Sequence, residues 1–136
     1  MRESEILEAY NELKDLELKE LELELEELIT SHLEVGRKRA IESLVTHIRT
    51  NEESIKSIVR KNELIEACKE EISKPAVSLK IKETLNNNHN SVNCFLEIAQ
   101  IVAPAIAQMY LGLSAMTIVG AILVLCKQGI QKYLTV

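Results

Sequence analysis

Residues 98–126 contain no Asp, Glu, Lys, Arg or His, an unbroken run of 29 in a chain of 136. So large an apolar segment does not stay exposed to water, which leaves two places for it: a bilayer, or the interior of a protein assembly. At about 1.5 Å per residue, one helix through the run exceeds a hydrocarbon core of roughly 30 Å. Lys127 and Lys132 follow directly, and Tyr110 and Tyr133 lie 23 residues apart, so a span over 111–132 would set one ring near each interface. The alternative is a buried central helix of a soluble bundle. A monomer of this size is expected to enclose such a helix poorly, and an oligomer to enclose it well.

The remainder of the chain is charged and helix-forming. Residues 1–35 hold 12 acids against 3 bases, and residues 36–97 hold 11 bases against 9 acids. With 4 Gly and 2 Pro the chain is too poor in breakers for a sandwich, a barrel or a Gly-rich phosphate loop, which predicts an all-α fold. The pattern predicts one helix over 3–34, with Ile6, Leu7, Tyr10, Leu13, Leu18, Leu21, Leu25, Leu28 and Ile29 on a broad apolar face and Glu8, Glu12, Glu22 and Glu26 opposite. Leu18, Leu21, Leu25 and Leu28, extended by His32 and Val35, resemble a short coiled-coil seam. Gly36 ends or bends that helix. A helix with Ile41, Leu44, Val45 and Ile48 follows, then another that starts near Thr50 and stops at Pro75. Residues 76–85 fit strand or helix, and helix is chosen because the chain offers no second strand to pair with. Asn86 to Asn90 read as a loop, with Ser91 as the N-cap of the next helix. The organisation expected is a charged helical bundle or coiled-coil region over 1–90 and an apolar helical hairpin or transmembrane segment over 91–136.

Polar residues in the apolar part are ordered. Asn93, Glu97, Gln100, Pro104 and Gln108 are spaced by 4, 3, 4 and 4, which places them in one stripe along a helix. In lipid such a stripe must meet water or a polar partner, so it either lines an aqueous path in a ring of protomers, with Glu97 at the mouth, or faces solvent and the rest of a bundle. Pro104 is expected to kink this helix or start a new segment after Ala103, making a hairpin of 91–110 and 112–134 possible. In the second helix Ser114, Thr117, Gly120 and Ala121 cluster on one side, a small face on which helices approach closely.

Catalytic patterns are not expected. His32, His47 and His89 lack metal-ligand spacing, no metal or other cofactor is implied, and GxSxG, Walker A and GxGxxG motifs are missing. Cys68, Cys94 and Cys126 have no CxxC spacing and read as packing residues in a reducing compartment. Between 37 and 61 seven bases outnumber three acids. Arg37, Lys38, Arg39, Arg60 and Lys61 could contact an anionic ligand or lipid head groups, or could pair with the acidic first helix, and the second is favoured. No aromatic residue lies in that window to stack on bases, so duplex nucleic acid is not an expected partner.

These readings converge on a non-enzymatic, homo-oligomeric membrane protein whose C-terminal apolar helices form or gate a pore or perturb the bilayer. MRESEILEAY is acidic and amphipathic, so no secretory signal peptide is expected, and the N-terminal region is expected in the cytoplasm. The alternative is a soluble cytoplasmic adaptor or scaffold whose C-terminal helices form the core of an obligate oligomer.

Overall fold

The computed structural model describes residues 2–29, 61–87, 90–110 and 112–134. They form α1 (Glu3–Leu13), α2 (18–29), α3 (Lys61–Ser73), α4 (Pro75–Asn87), α5 (Ser91–Met109) and α6 (Ala115–Gly129), closed by a 3-10 turn over Ile130–Tyr133. Among the described residues there is no strand, and the fold is the all-α bundle expected. The uncharged run is a hairpin of α5 and α6. Its connection holds Gly112 at φ 92°, a left-handed conformation that L side chains rarely adopt. Ser114 then caps α6, its hydroxyl accepting from the Thr117 amide at 3.2 Å.

α6 is apolar around its whole circumference, and its nine residues from Thr117 to Leu125 are all buried. A helix of that kind is stable in water only when neighbours surround it. Here α1, α3 and α5 pack on it, and the Leu25 side chain of α2 reaches Gly120. The expectation that a monomer would enclose this helix poorly is therefore corrected. Among the described residues, buried side chains before and after residue 90, from Ile6 to Ile130, belong to one core cluster.

The single helix expected over 3–34 is instead two helices, broken at Lys14–Glu17. The cause is a slip of phase. At 100° per residue the buried side chains of α1 (Ile6, Ala9, Leu13) and those of α2 (Leu21, Leu25, Ile29) point about 125° apart. One straight helix could not turn both sets to α6. Beyond Leu13 it would present Glu17 and Glu20, so the chain breaks and re-enters with Leu21 inward. Leu21 N–H closes the first turn of α2 on Glu17 C=O at 2.8 Å. In the proposed seam Leu21 and Leu25 are buried and Leu18 and Leu28 half-buried. His32 and Val35, Gly36 and the helices read between 37 and 60 lie outside the described residues.

Other boundaries moved by a residue or two. Pro75 is the first residue of α4, where its missing N–H costs nothing. The helix chosen for 76–85 is α4, which runs on through Asn87, so Asn86 and Asn87 end a helix instead of opening a loop. Asn90, not Ser91, is the N-cap of α5, its Oδ1 accepting from the amides of Val92 and Asn93. Pro104 lies within α5 and does not end it. It sits on the exposed side, as does Gln100, whose carbonyl it leaves without a helical donor.

A Cβ added to Gly120 would lie 3.5 Å from Leu13 Cδ1 and 3.5 Å from Leu25 Cδ1, ordinary van der Waals separations. Gly120→Ala is therefore expected to stabilise the bundle by up to about 1 kcal/mol through helix propensity. Gly120→Leu is expected to destabilise it by about 1–3 kcal/mol through overpacking, both read from urea unfolding.

Candidate functional site

Along α5 the side chains divide cleanly. Phe95, Leu96, Ile98, Ala99, Val102, Ala103 and Ile106 are buried, while Asn93, Glu97, Gln100, Pro104 and Gln108 are all exposed. The polar stripe thus lies on the outer surface of the bundle. Near its start Glu97 borders an open cleft of about 410 Å³ between α4 and α5, shared with Lys80, Glu83, Thr84, Asn87 and Ile101.

The small face of α6 points elsewhere. Thr117, Gly120 and Ala121 are buried, and Gly120 lies against α1 and α2 of the same chain. Ser114 is exposed at the cap, its hydroxyl 2.8 Å from Thr117 Oγ1. Of the basic candidates, Lys61 pairs with Glu26 at 3.4 Å, joining α3 to α2. Arg37, Lys38, Arg39 and Arg60 lie outside the described residues. The Glu26 side chain is 54% exposed, so this pair contributes at most about 1 kcal/mol.

A second concavity, of about 290 Å³, opens where α1, α4, α5 and α6 meet. Tyr10 and Phe95, stacked with centroids 4.7 Å apart at 26°, form part of its wall together with the buried Ile98 and Leu123. Cys94 and Cys126 also line it, and Lys14 and Lys127 stand exposed on its rim. Lys127 Nζ donates to the Lys14 carbonyl at 3.0 Å, a cation placed on the C-terminal end of α1. Sequence reasoning missed this grouping. Lys14 and Lys127 are 113 positions apart and meet only because α1 packs along α6, so no local pattern announces them.

The thiols are poor nucleophiles. Burial, and then the Glu71 carboxylate, push Cys68 up to about 12, and burial followed by Cys94 pushes Cys126 up to about 12. Cys94 is also raised, by burial first and Glu97 second. Tyr110 is raised by burial and then by nearby carboxylates, Glu63 foremost. Among the described residues no three His, Cys, Asp or Glu side chains gather as metal ligands. Comparisons with protein-family models, with curated proteins and with solved structures return no match.

Because Cys68 and Cys126 stay protonated in the folded state, their contribution to stability is complete below the ordinary thiol value of 9.0 and is lost as pH rises towards about 12. Urea melts are expected to show a decline above about pH 9 that is shallower in the Cys68→Ala, Cys126→Ala double variant. At about pH 8 iodoacetamide should modify Cys94 well before the other two, with all three reacting alike in denaturant, as followed by mass spectrometry.

Proposed function

We propose that the chain is a non-enzymatic helical interaction module, an adaptor or scaffold that works as a water-soluble bundle. The observation that carries this reading is the burial of α6 from Thr117 to Leu125 by helices of its own chain. That packing buries nine residues of the uncharged run, and the inner face of α5 buries five more, Ile98, Ala99, Val102, Ala103 and Ile106, with neither a bilayer nor a second copy. The outward direction of Asn93, Glu97, Gln100 and Gln108 supports it too, since carboxamides and a carboxylate facing water carry no desolvation cost. Raised thiol values and dispersed polar side chains favour binding over catalysis. Such a module acts through its surface, and any self-association would use exposed residues, not the core.

A second reading, membrane entry by the α5–α6 hairpin, draws on one observation. α5 has 19 residues and a mean hydropathy of 1.4, with 39% of that apolar window buried in the bundle. α6, with 15 residues, reaches only about 22 Å and would need to lengthen to cross. Insertion would also require the hairpin to leave α1, α3 and α4.

The full chain, expressed and lysed without detergent, is expected in the soluble fraction as a discrete species that leaves the contents of anionic vesicles enclosed. Carbonate-resistant recovery in membranes, together with vesicle leakage whose cation selectivity changes in Glu97→Gln, would instead establish the second reading.

A further inference from the structure

We infer that the concavity between α1, α4, α5 and α6 is a binding site for a single-chain anionic amphiphile, a free fatty acid of medium length. Its walls and its rim differ in chemistry. Tyr10, Phe95, Ile98 and Leu123 offer an apolar surface, three of them contributed by the core itself. Lys14 and Lys127 stand at the opening, and no Asp or Glu lines it. That absence is informative in a chain with 21 acids and 16 bases. Among the described residues neither lysine is paired with a carboxylate, although Lys127 donates to the Lys14 carbonyl. Two ammonium groups beside an apolar slot match a carboxylate at the head of a hydrocarbon tail. The volume of about 290 Å³ lies just below the range of small-molecule sites, about 300 to 1,000 Å³, and so favours one unbranched chain over a two-tailed lipid.

This site does not depend on whether the bundle works in solution or at a membrane. Dodecanoate labelled with 13C at the carboxyl carbon, titrated below its micellar concentration into the full chain, is expected to saturate at one equivalent with a displaced carboxyl resonance. Dodecanol and dodecyltrimethylammonium should bind more weakly. Glutamine keeps a donor for the Lys14 carbonyl, so the Lys14→Gln, Lys127→Gln double variant should keep its thermal midpoint. It is expected to bind dodecanoate about tenfold more weakly and dodecanol as before. Cys94→Phe, which fills the slot from a half-buried position, should abolish binding of both, and saturating dodecanoate should slow alkylation of Cys94 in the unaltered chain. Equal affinity for the cationic amphiphile, an unchanged dodecanoate affinity in the double glutamine variant, or uptake seen only with vesicles would overturn the assignment.

Discussion

The enclosure of α6 is the constraint on which the other elements depend. Ile118, Val119, Ile122, Leu123, Val124 and Leu125 surround its axis, and each contributes about 1.5–3 kcal/mol when removed from water. A helix with one apolar stripe needs one partner, whereas this helix needs partners on every side. It therefore recruits segments from both ends of the chain, with α1 and α2 on one flank and α3 and α5 on others. At Gly120 this flank meets α6, with Leu13 Cδ1 and Leu25 Cδ1 each 3.5 Å from the place a Cβ would occupy. Loss of either leucine would open α6 itself, so the acidic N-terminal helices are structural necessities and not an appendage.

Polar groups tie this arrangement at one end. Lys127 holds the Lys14 carbonyl, Gln128 Nε2 reaches Glu22 at 3.4 Å, and Tyr133 Oη donates to Gln128 Oε1 at 2.7 Å. The last turn of α6 is thereby joined to the bend between α1 and α2, where the phase slip occurs. These contacts are partly exposed and individually modest, so their effect is to set register more than to add stability. Within the interior the polar atoms are satisfied: Ser78 donates to the Ile72 carbonyl, Thr84 to the Lys80 carbonyl, and the buried Glu71 pairs with Lys74 at 2.7 Å. Among the described residues no buried side-chain polar atom lacks a partner. A core satisfied in this way gives the bundle one preferred packing.

How much of this was legible in the sequence depends on the range over which each signal acts. The all-α class followed from the scarcity of Gly and Pro, a local property, whereas the hairpin was expected from a kink at Pro104 and the chain turns instead near Gly112, because Pro104 is accommodated on the exposed side of α5. The break at Lys14–Glu17 was present in the sequence as well. Ile6, Ala9 and Leu13 do not continue in phase into Leu21 and Leu25, but a broad apolar face spanning both absorbed the mismatch on a wheel. The N-cap shifted from Ser91 to Asn90 because either side chain can accept from the first turn, and only backbone placement selects one. The amphiphile slot was not legible. Tyr10, Lys14, Phe95, Leu123 and Lys127 come from three helices, and their meeting is decided by packing around α6.

The uncharged run shows why hydropathy alone separates a membrane helix from a core helix so poorly. Both environments exclude charge, so both select Ile, Val, Leu and Ala over the same length. What differs is where the remaining polar residues point. In α5 the residues Asn93, Glu97, Gln100 and Gln108 keep helical register and face outwards, opposite Phe95, Ile98, Val102 and Ile106. In a bilayer an outward carboxylate would face lipid at a cost of several kcal/mol unless other protomers closed around it. In water the same side chain has no such cost, and the stripe becomes the ordinary outer face of an amphipathic helix. That one term, the solvation of Glu97, is what differs most between the two environments. It also identifies the condition any inserted state must meet, a second polar surface brought against this stripe.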